Sequence, residues 1–460
     1  MTPDYRGFLA RKEITAPLRG LSDLPRTAPH LFAHQRHCVE FGLAAGSFGC
    51  FLDTGLGKTA VELEYLHQTL SHHNGYALIL TPLAVARQIA AEGKRWGYDV
   101  RVIREQSEAR PGINVCNYDR LDLLETGAFG AVALDESSIL KSFSGKTTRR
   151  LIEAFAPLRW RMAATATPAP NDHTELANHS EFLGLFGRDE MLVRWFINDA
   201  GDTKSWRLKR HGINLFYDWM ASWSRMAEHP RDLGFEVAGY DLPPLNITKH
   251  RADSDLLPEE GTLFAVANKS ATGMHAVKRQ TSAARAAIAA DPVTSDNQPW
   301  IIWCDTDNEA DSLLSLLGDR SDVVEVRGSH SIDKKESAIA GFSDGSKRIL
   351  ITKSSICGFG LNFQHCASMV FVGRSFSYES WYQAVRRCWR FGQTRPVAVH
   401  IIVADGEDAI GRVIDRKSDD HIQMKAAMVG AMKRAAGKSA TRLHHYYPTH
   451  SGSLPAWMES

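Results

Sequence analysis

Short runs of apolar residues recur along the chain and alternate with stretches of helical texture. Such runs are typical of strands in a parallel sheet covered by helices, since these strands bury both faces. They fall into two sets with a long gap between them. The first set predicts strands at Gly49–Leu52, Ala77–Leu80, Ala131–Leu134 and Met162–Thr165, and the second at Trp300–Cys304, Val323–Val326, Arg348–Thr352, Met369–Val372 and Val397–Val403. The sequence therefore predicts an α/β fold with two parallel-sheet lobes in tandem.

The length of 460 residues suits two such domains of roughly 100–200 residues each. Between the two sets of strands, aromatic and charged residues mix, and a proline pair interrupts the pattern within Asp241–Leu245. We therefore expect a mostly helical insertion, an extended connector and a helix over Lys278–Ala290. The predicted divisions are an N-terminal extension (1–30), a first lobe (31–175), the insertion and connector (176–290), a second lobe (291–430) and a basic and aromatic tail (431–460).

Composition narrows the class of protein. The chain is 43% hydrophobic and 23% charged, which is typical of a globular protein and too apolar for disorder. Runs of about 18 apolar residues, the length of a membrane span, do not occur, and the N-terminus lacks the apolar core of a secretion signal. We therefore expect a cytoplasmic protein. Its seven cysteines form no C-x-x-C pair and are expected to be buried thiols.

A glycine-rich loop, Asp-Thr-Gly-Leu-Gly-Lys-Thr, follows the first predicted strand and precedes a helical stretch. Glycines let backbone N–H groups approach phosphate oxygens, and the N-terminus of the following helix favours anions. Lys58 is expected to reach the β- and γ-phosphates of a nucleotide, and the Thr59 hydroxyl to hold Mg²⁺. Leu52 replaces the first glycine of the strict motif, so the loop alone could be a chance turn. The residues assigned to nucleotide binding here are Thr54, Gly55, Gly57, Lys58 and Thr59.

An apolar strand ending in two carboxylates supports the nucleotide interpretation. In Ala131–Glu136 the strand ends at Asp135, which is expected to bind Mg²⁺, and Glu136 follows as the base that activates an attacking water. Two acidic residues after a buried strand can also be mere surface charge. Together with a Lys-Thr loop earlier in the chain, they predict a site of nucleotide hydrolysis.

A second group of polar residues lies in the other lobe. The stretch Tyr378–Phe391 has helical texture, and Gln383, Arg387 and Arg390 would lie on one face of that helix. Guanidinium groups bind phosphate oxygens in a bidentate way, so this face suits a phosphate. The alternative is a solvated basic face, which predicts the same helix.

These features resemble, in order and spacing, the motifs of superfamily-two helicases (DEAD/DEAH-type ATPases), and specifically the Swi/Snf-like branch. Leu31–Arg36 resembles the adenine-recognition motif, with Gln35 in the reading position, and Gly-Gln at 392–393 is characteristic of the branch. The compact size and the stretch ending in Asp241–Leu245 resemble phage- or prophage-encoded members. The resemblance implies two RecA-like lobes, with Arg387 and Arg390 joining Lys58 and Glu136 as catalytic residues.

Further contacts are implied by the same resemblance. Leu80–Leu83 is similar to a motif that touches the nucleic-acid backbone, Thr165–Pro168 to one that links hydrolysis to DNA contact, and Ile351–Asn362 to a motif whose glycines allow close approach. The implied nucleic-acid contacts are Thr81, Pro82, Thr165, Thr167, Ser354 and Asn362, and the further nucleotide contacts are Gln35, Gly360 and Gln383.

The expected function is that of an ATP-dependent motor using Mg²⁺, with double-stranded DNA as the favoured track and RNA less favoured. Backbone contacts predict sequence-independent, salt-sensitive binding. We expect a monomer without membrane contact, in the bacterial host cell if the protein is phage-encoded. One alternative is a strand-separating helicase on DNA or RNA. Another is an ATP-dependent DNA clamp that recruits a nuclease or replication partner through the insertion and tail.

Overall fold

A computed structural model of the chain describes residues 14–82, 85–199, 202–252, 278–358, 361–404 and 408–444. Two α/β lobes follow each other, and each is built on a fully parallel sheet, as the apolar runs predict. Every predicted strand is present close to its expected bounds. Each sheet has a buried apolar cluster on either face, so its strands are covered from both sides.

The first lobe contains a seven-stranded sheet and an attached hairpin. Its strands are β1 (Ser47–Leu52), β2 (Tyr76–Thr81), β3 (Val100–Val102), β4 (Gly112–Asn117), β5 (Ala131–Asp135), β6 (Trp160–Ala164), the antiparallel hairpin β7 (Phe196–Asp199) and β8 (Asp202–Leu208), and β9 (Ser224–Ala227). Its helices are α1 (Ala33–Ala45), α2 (Lys58–Thr69), α3 (Ala86–Arg95), α4 (Lys146–Phe155), α5 (Leu176–Phe182), α6 (Arg188–Trp195) and α7 (Ile213–Ala221). The sheet order is β3-β4-β2-β5-β6-β1-β9.

The second lobe contains a six-stranded sheet. Its strands are β10 (Leu245–Ala252), β11 (Trp300–Cys304), β12 (Val323–Val326), β13 (Ile349–Lys353), β14 (Ser368–Phe371) and β15 (Val397–Ala404). Its helices are α8 (Ser282–Ser295), α9 (Asp307–Leu317), α10 (Ile332–Ser343), α11 (Ser354–Cys357) and α12 (Tyr378–Val385), and the chain continues into α13 (Asp408–His444). The sheet order is β10-β15-β14-β11-β13-β12.

The segment predicted as a separate insertion, 176–290, is partly built into both lobes. It does contain helices, but β9 pairs with β1 at the edge of the first sheet, and β10 pairs with β15 at the edge of the second. The proline pair immediately precedes β10, which begins at Leu245. Both edge strands escape sequence analysis because β10 is largely polar and β9 has only four residues, and pairing partners distant in the chain define them.

The structure also describes parts of the two predicted terminal segments. The described part of the N-terminal extension packs on the first lobe, where the backbone N–H groups of Arg19, Gly20 and Leu21 donate to carbonyls at the end of α1. The predicted tail at 431–460 is helical as far as His444, because α13 continues to that residue, and the remainder lies outside the described residues. All seven cysteines are buried and unpaired, as predicted. None of the described helices has the length and apolarity needed to cross a membrane.

Candidate active site

Three loops of the first lobe leave the carboxyl ends of neighbouring strands. The sheet order places β6 between β5 and β1, so the glycine-rich loop after β1, the acidic pair at the end of β5 and Thr165 after β6 meet at one edge. In open α/β sheets, ligands bind in the crevice outside the carboxyl ends of strands. The topology therefore brings together the nucleotide and metal residues predicted in the first lobe.

The glycine-rich loop has a backbone that requires its glycines. Gly55 and Gly57 have φ angles of 94° and 85°, a left-handed region that side chains disfavour. A Cβ atom at Gly57 would also lie 2.1 Å from Nε2 of Gln35. Lys58 opens α2, and its Nζ donates to the carbonyl of Leu52 at 3.1 Å. The loop thus leads into a helix N-terminus with a lysine at its first position, as the sequence predicts.

Gln35 is buried against this loop. Its Nε2 donates to the carbonyl of Leu56 at 3.1 Å, and its Oε1 accepts from the backbone N–H of Phe32 at 3.0 Å. These two bonds fix the side chain beside the predicted phosphate-binding residues. Recognition of adenine by Gln35 stays a prediction.

The acidic pair is buried and its backbone is strained. Asp135 accepts a hydrogen bond of 2.8 Å from the Thr81 hydroxyl, and burial raises the pKa of the Asp135 carboxyl. Glu136 has φ 52° and ψ 53°, and among the described residues it is the only non-glycine with a positive φ. Such a conformation costs on the order of 1–3 kcal/mol and is typical of functional sites. Burial raises the pKa of Glu136 to about 7, although Lys58 opposes the shift.

A third buried carboxyl, Glu62, belongs to the same cluster and escapes sequence analysis. It lies one helical turn after Lys58 on α2, and neither carboxylate oxygen has a hydrogen-bond partner within the described chain. Burial and the nearby charge of Asp135 raise its pKa well above the ordinary value. The Thr54 hydroxyl is likewise buried without a partner among the described residues. Unsatisfied buried polar atoms beside a glycine-rich loop fit a site that holds a cation and phosphate oxygens.

Helix α12 of the second lobe docks on this edge of the first. Its contacts repeat at positions i, i+3, i+4 and i+7, which form one helix face. Glu379 accepts a hydrogen bond from Lys141 (2.7 Å), while Tyr382 donates to Asp53 (2.6 Å), Gln383 to Glu136 (3.4 Å) and Arg386 to Asp53 (2.7 Å). A single face of α12 therefore touches the glycine-rich loop, the catalytic-base candidate and the loop that follows it.

The helix predicted over Tyr378–Phe391 is wrong in its second half. Helix α12 ends at Val385. Beyond it the regular i to i−4 backbone hydrogen bonds are replaced mostly by i to i−3 bonds, such as the one from the Cys388 N–H to the Val385 carbonyl. The Arg387 carbonyl instead accepts from the backbone N–H of Phe363. Arg387 and Arg390 therefore lie on a turn, yet both face the cleft, and each donates to the carbonyl of Leu361.

One cavity between the lobes collects most of the predicted catalytic and nucleotide-binding residues. It is lined from the first lobe by the glycine-rich loop, the acidic pair and side chains of α3, and from the second lobe by two arginines. The predicted residues in its lining are Thr54, Gly55, Gly57, Lys58, Thr59, Asp135, Glu136, Arg387 and Arg390. Gln383 bonds to Glu136 beside it. Gly360 lies outside the described residues.

Half of the predicted nucleic-acid contacts lie in the interior. Thr81, Thr165 and Thr167 are fully buried, so their side chains do not contact a bound strand in this conformation. Thr81 bonds to Asp135, and the Thr165 hydroxyl lies 3.5 Å from Glu136 while accepting from the Thr167 N–H. The Thr81 and Thr165 hydroxyls contact the acidic pair, whereas the Thr167 hydroxyl is buried without a partner among the described residues. Contact of these side chains with nucleic acid would need another conformation and stays a prediction. Of the remainder, Pro82 and Ser354 are half-buried and Asn362 is exposed.

Comparison with known families agrees with this architecture. The fold is that of two tandem RecA-like lobes with a polar cleft between them. Residues 284–392 match the helicase conserved C-terminal domain. This match covers most of the second lobe, from α8 to the turn that carries Arg390, and it indicates a helicase-type protein of superfamily two. No curated protein is significantly similar to the chain.

Proposed function

We propose that the chain is an ATP-driven motor of the Swi/Snf-like branch that translocates along double-stranded DNA. The observation that carries the proposal is the single cavity lined by Lys58 and Glu136 from one lobe and by Arg387 and Arg390 from the other. Groups of both signs converge there from segments that are far apart in sequence. A site assembled from two lobes is complete only when the lobes are closed, so hydrolysis and lobe movement become coupled.

The roles follow from the chemistry of each group. Lys58 and Thr59 would hold the triphosphate, and Asp135 with Thr59 would hold Mg²⁺, whose bound charge would neutralise developing negative charge on the phosphates. Glu136 suits a general base because a pKa of about 7 lets it accept a proton near neutral pH. Arginines that reach a transferring phosphoryl group accelerate related hydrolases by about 10³–10⁵-fold, and Arg387 and Arg390 are our candidates.

The contacts of α12 support coupling between chemistry and movement. Gln383 lies at hydrogen-bonding distance from Glu136, so separation of the lobes would remove a neighbour of the proposed base. In the first lobe the Thr165 hydroxyl contacts Glu136 and accepts a hydrogen bond from the backbone N–H of Thr167. Opening and closing of the cleft would move one lobe relative to the other by a hinge motion, which is the usual route from hydrolysis to stepping.

Side-by-side ATPase assays with duplex DNA, single-stranded DNA and RNA test the proposal. We expect the largest stimulation by duplex DNA, falling as salt increases because the contacts are to phosphates. Lys58→Ala is the matched negative control, since it removes the proposed phosphate cation. Stimulation by RNA alone, or an absence of nucleotide hydrolysis by the wild type, would contradict the proposal.

Movement needs its own assay. A translocase should displace a triplex-forming strand from duplex DNA without separating the duplex. Efficient unwinding of a forked duplex would instead identify a strand-separating helicase. ATP-dependent retention on DNA without displacement of either kind would favour the clamp hypothesis.

A further inference from the structure

Helix α13 runs from the second lobe onto the first. Near its start, Ile410 and Ile414 form an apolar cluster with Tyr378 of α12. Further along, Met424 and Met428 join the main core of the first lobe. The helix therefore connects the two lobes independently of the β9–β10 linker and buries apolar surface on each.

Between these apolar ends, α13 places Lys425 beside the glycine-rich loop. Its Nζ lies 2.5 Å from Oε1 of Glu228, 3.2 Å from the Tyr382 hydroxyl and 3.6 Å from Oδ2 of Asp53. Arg386 reaches the same Asp53 oxygen at 2.7 Å. Asp53 is the first residue of the loop after β1, so a first-lobe carboxylate receives one cation from the second lobe and one from α13.

Burial of Asp53 makes its ionisation depend on these two cations. Asp53, Arg386 and Lys425 are all almost completely inaccessible to solvent. Burial alone would raise the pKa of Asp53, but Arg386, Lys425 and the Tyr382 hydroxyl hold it below its ordinary value. The carboxylate is thus kept charged partly by the backbone N–H of Thr54 in the same loop and mainly by groups that reach it when α12 and α13 are docked. Loss of either cation while α12 and α13 remain docked would leave a buried carboxylate short of a partner.

The closed arrangement also has a cost. Both ring nitrogens of His421, one turn before Lys425 on α13, are buried without a hydrogen-bond partner in the described chain, and so is Nε of Arg386. Buried polar atoms without partners destabilise the state that buries them. The contact of α12 and α13 with the first lobe therefore contains both stabilising ion pairs and destabilising unsatisfied polar atoms. Because these contributions oppose each other, the closed and open arrangements of the lobes can be close in free energy.

We propose that Asp53 is a positioning residue through which α13 controls nucleotide binding: Lys425 and Arg386 together hold the glycine-rich loop in its closed position. The inference rests on the proposed ATP site and adds a regulatory element to it. Lys425 touches no reacting atom, so its loss should change the equilibrium between open and closed lobes. The chemical step in the closed state should continue.

The test compares Lys425→Met with Lys425→Arg and with Lys433→Met, an exposed lysine on the same helix. Lobe closure is measured without nucleotide in an Arg87→Cys/Glu336→Cys parent protein, whose two introduced thiols are crosslinked by a short bis-maleimide. Arg87 and Glu336 suit this purpose because their side chains are 65% and 42% accessible to solvent and pair across the lobes at 2.6 Å. All native cysteines are buried, which favours selective reaction. Binding of a fluorescent ATP analogue and steady-state KM and kcat complete the set.

For Lys425→Met we expect lower crosslinking yield, a Kd for the analogue raised roughly 5- to 150-fold, and a raised KM with kcat largely retained at saturating ATP. Lys425→Arg should restore most of each value, and Lys433→Met should match the parent protein. A thermal unfolding scan identifies any variant that fails to fold. If Lys425→Met fails to fold, Lys425→Gln, which also removes the charge, takes its place in each comparison.

Equal crosslinking and equal Kd for Lys425→Met and Lys433→Met would overturn the inference. A large loss of kcat with unchanged Kd and crosslinking would also overturn it, because Lys425 would then act on the chemistry. A parent protein that crosslinks but binds no nucleotide would refute the ATP site itself and with it any control of binding by α13. The two failures are therefore distinguishable.

Discussion

Replacing Glu136 by glutamine keeps the size of the side chain and removes its charge and its basicity. As the proposed general base, Glu136 contributes a proton acceptor, and loss of such a group typically lowers turnover by about 10²–10⁴-fold. The same change should stabilise the fold at neutral and alkaline pH. Burial raises the pKa of Glu136 from 4.5 to about 7, and at about 1.4 kcal/mol for each pKa unit this corresponds to about 3 kcal/mol.

The pH dependence has a definite sign. The folded protein binds the Glu136 proton more tightly than the unfolded chain does, so the contribution of this group to stability falls as pH rises from about 4.5 to about 7. Above that window the wild type carries the full penalty of a buried charge. Glu136→Gln does not titrate, and it should therefore match the wild type at the acid end and exceed it by up to about 3 kcal/mol at about pH 8.

Two assays on the same proteins check this reasoning. ATP turnover is measured with duplex DNA, and the free energy of unfolding is measured by denaturant titration at several pH values without Mg²⁺ or nucleotide. Glu153→Gln, an exposed carboxyl on α4, is the control and should change neither quantity. Wild-type turnover in Glu136→Gln would refute the assigned base. A stability difference that stays constant from acid to alkaline pH would refute the electrostatic argument.

Three further substitutions probe the cleft. Lys58→Ala removes the proposed phosphate cation and should abolish ATP turnover while the circular dichroism spectrum is unchanged; residual turnover near the wild-type rate would contradict this. Gly57→Val introduces a Cβ at a φ of 85° close to Gln35, so a nucleotide-binding titration should show weakened binding, and intact affinity would argue against the loop. Arg387→Gln should lower single-turnover hydrolysis by roughly 10³–10⁵-fold with a modest change in Kd, whereas an unchanged rate would exclude it as the catalytic arginine.

Local sequence patterns determined much of the fold. Apolar runs identify the strands that lie inside each sheet, because a strand covered on both faces must be apolar along its length. The glycines at 55 and 57 and the acidic pair at 135–136 identify the main loops of the site, since their chemistry depends on residue type and on position after a strand. These features are encoded within a few residues of chain.

Only the tertiary structure determined the features whose interaction partners are far apart in the chain: the edge strands, the surroundings of the threonine hydroxyls and the end of helix α12. The edge strand β10 is largely polar and β9 has only four residues, and both are defined by pairing with β15 and β1. Thr81, Thr165 and Thr167 sit in motifs that suggest nucleic-acid contact, but neighbouring strands turn their hydroxyls towards the acidic pair or bury them. Helical periodicity also predicts that the helix beginning at Tyr378 continues to Phe391. The helix ends at Val385 instead, and the Arg387 carbonyl accepts a hydrogen bond from the backbone N–H of the distant residue Phe363.

The ion pairs between Asp53, Arg386 and Lys425 show most clearly what the sequence alone does not predict. Asp53 and Arg386 are 333 positions apart, and Lys425 lies further still along the chain. Each is an ordinary charged residue in its own segment, and no local spacing relates them. Their charges interact strongly because folding removes water from all three side chains together. This burial arises only when the two lobes and α13 are assembled.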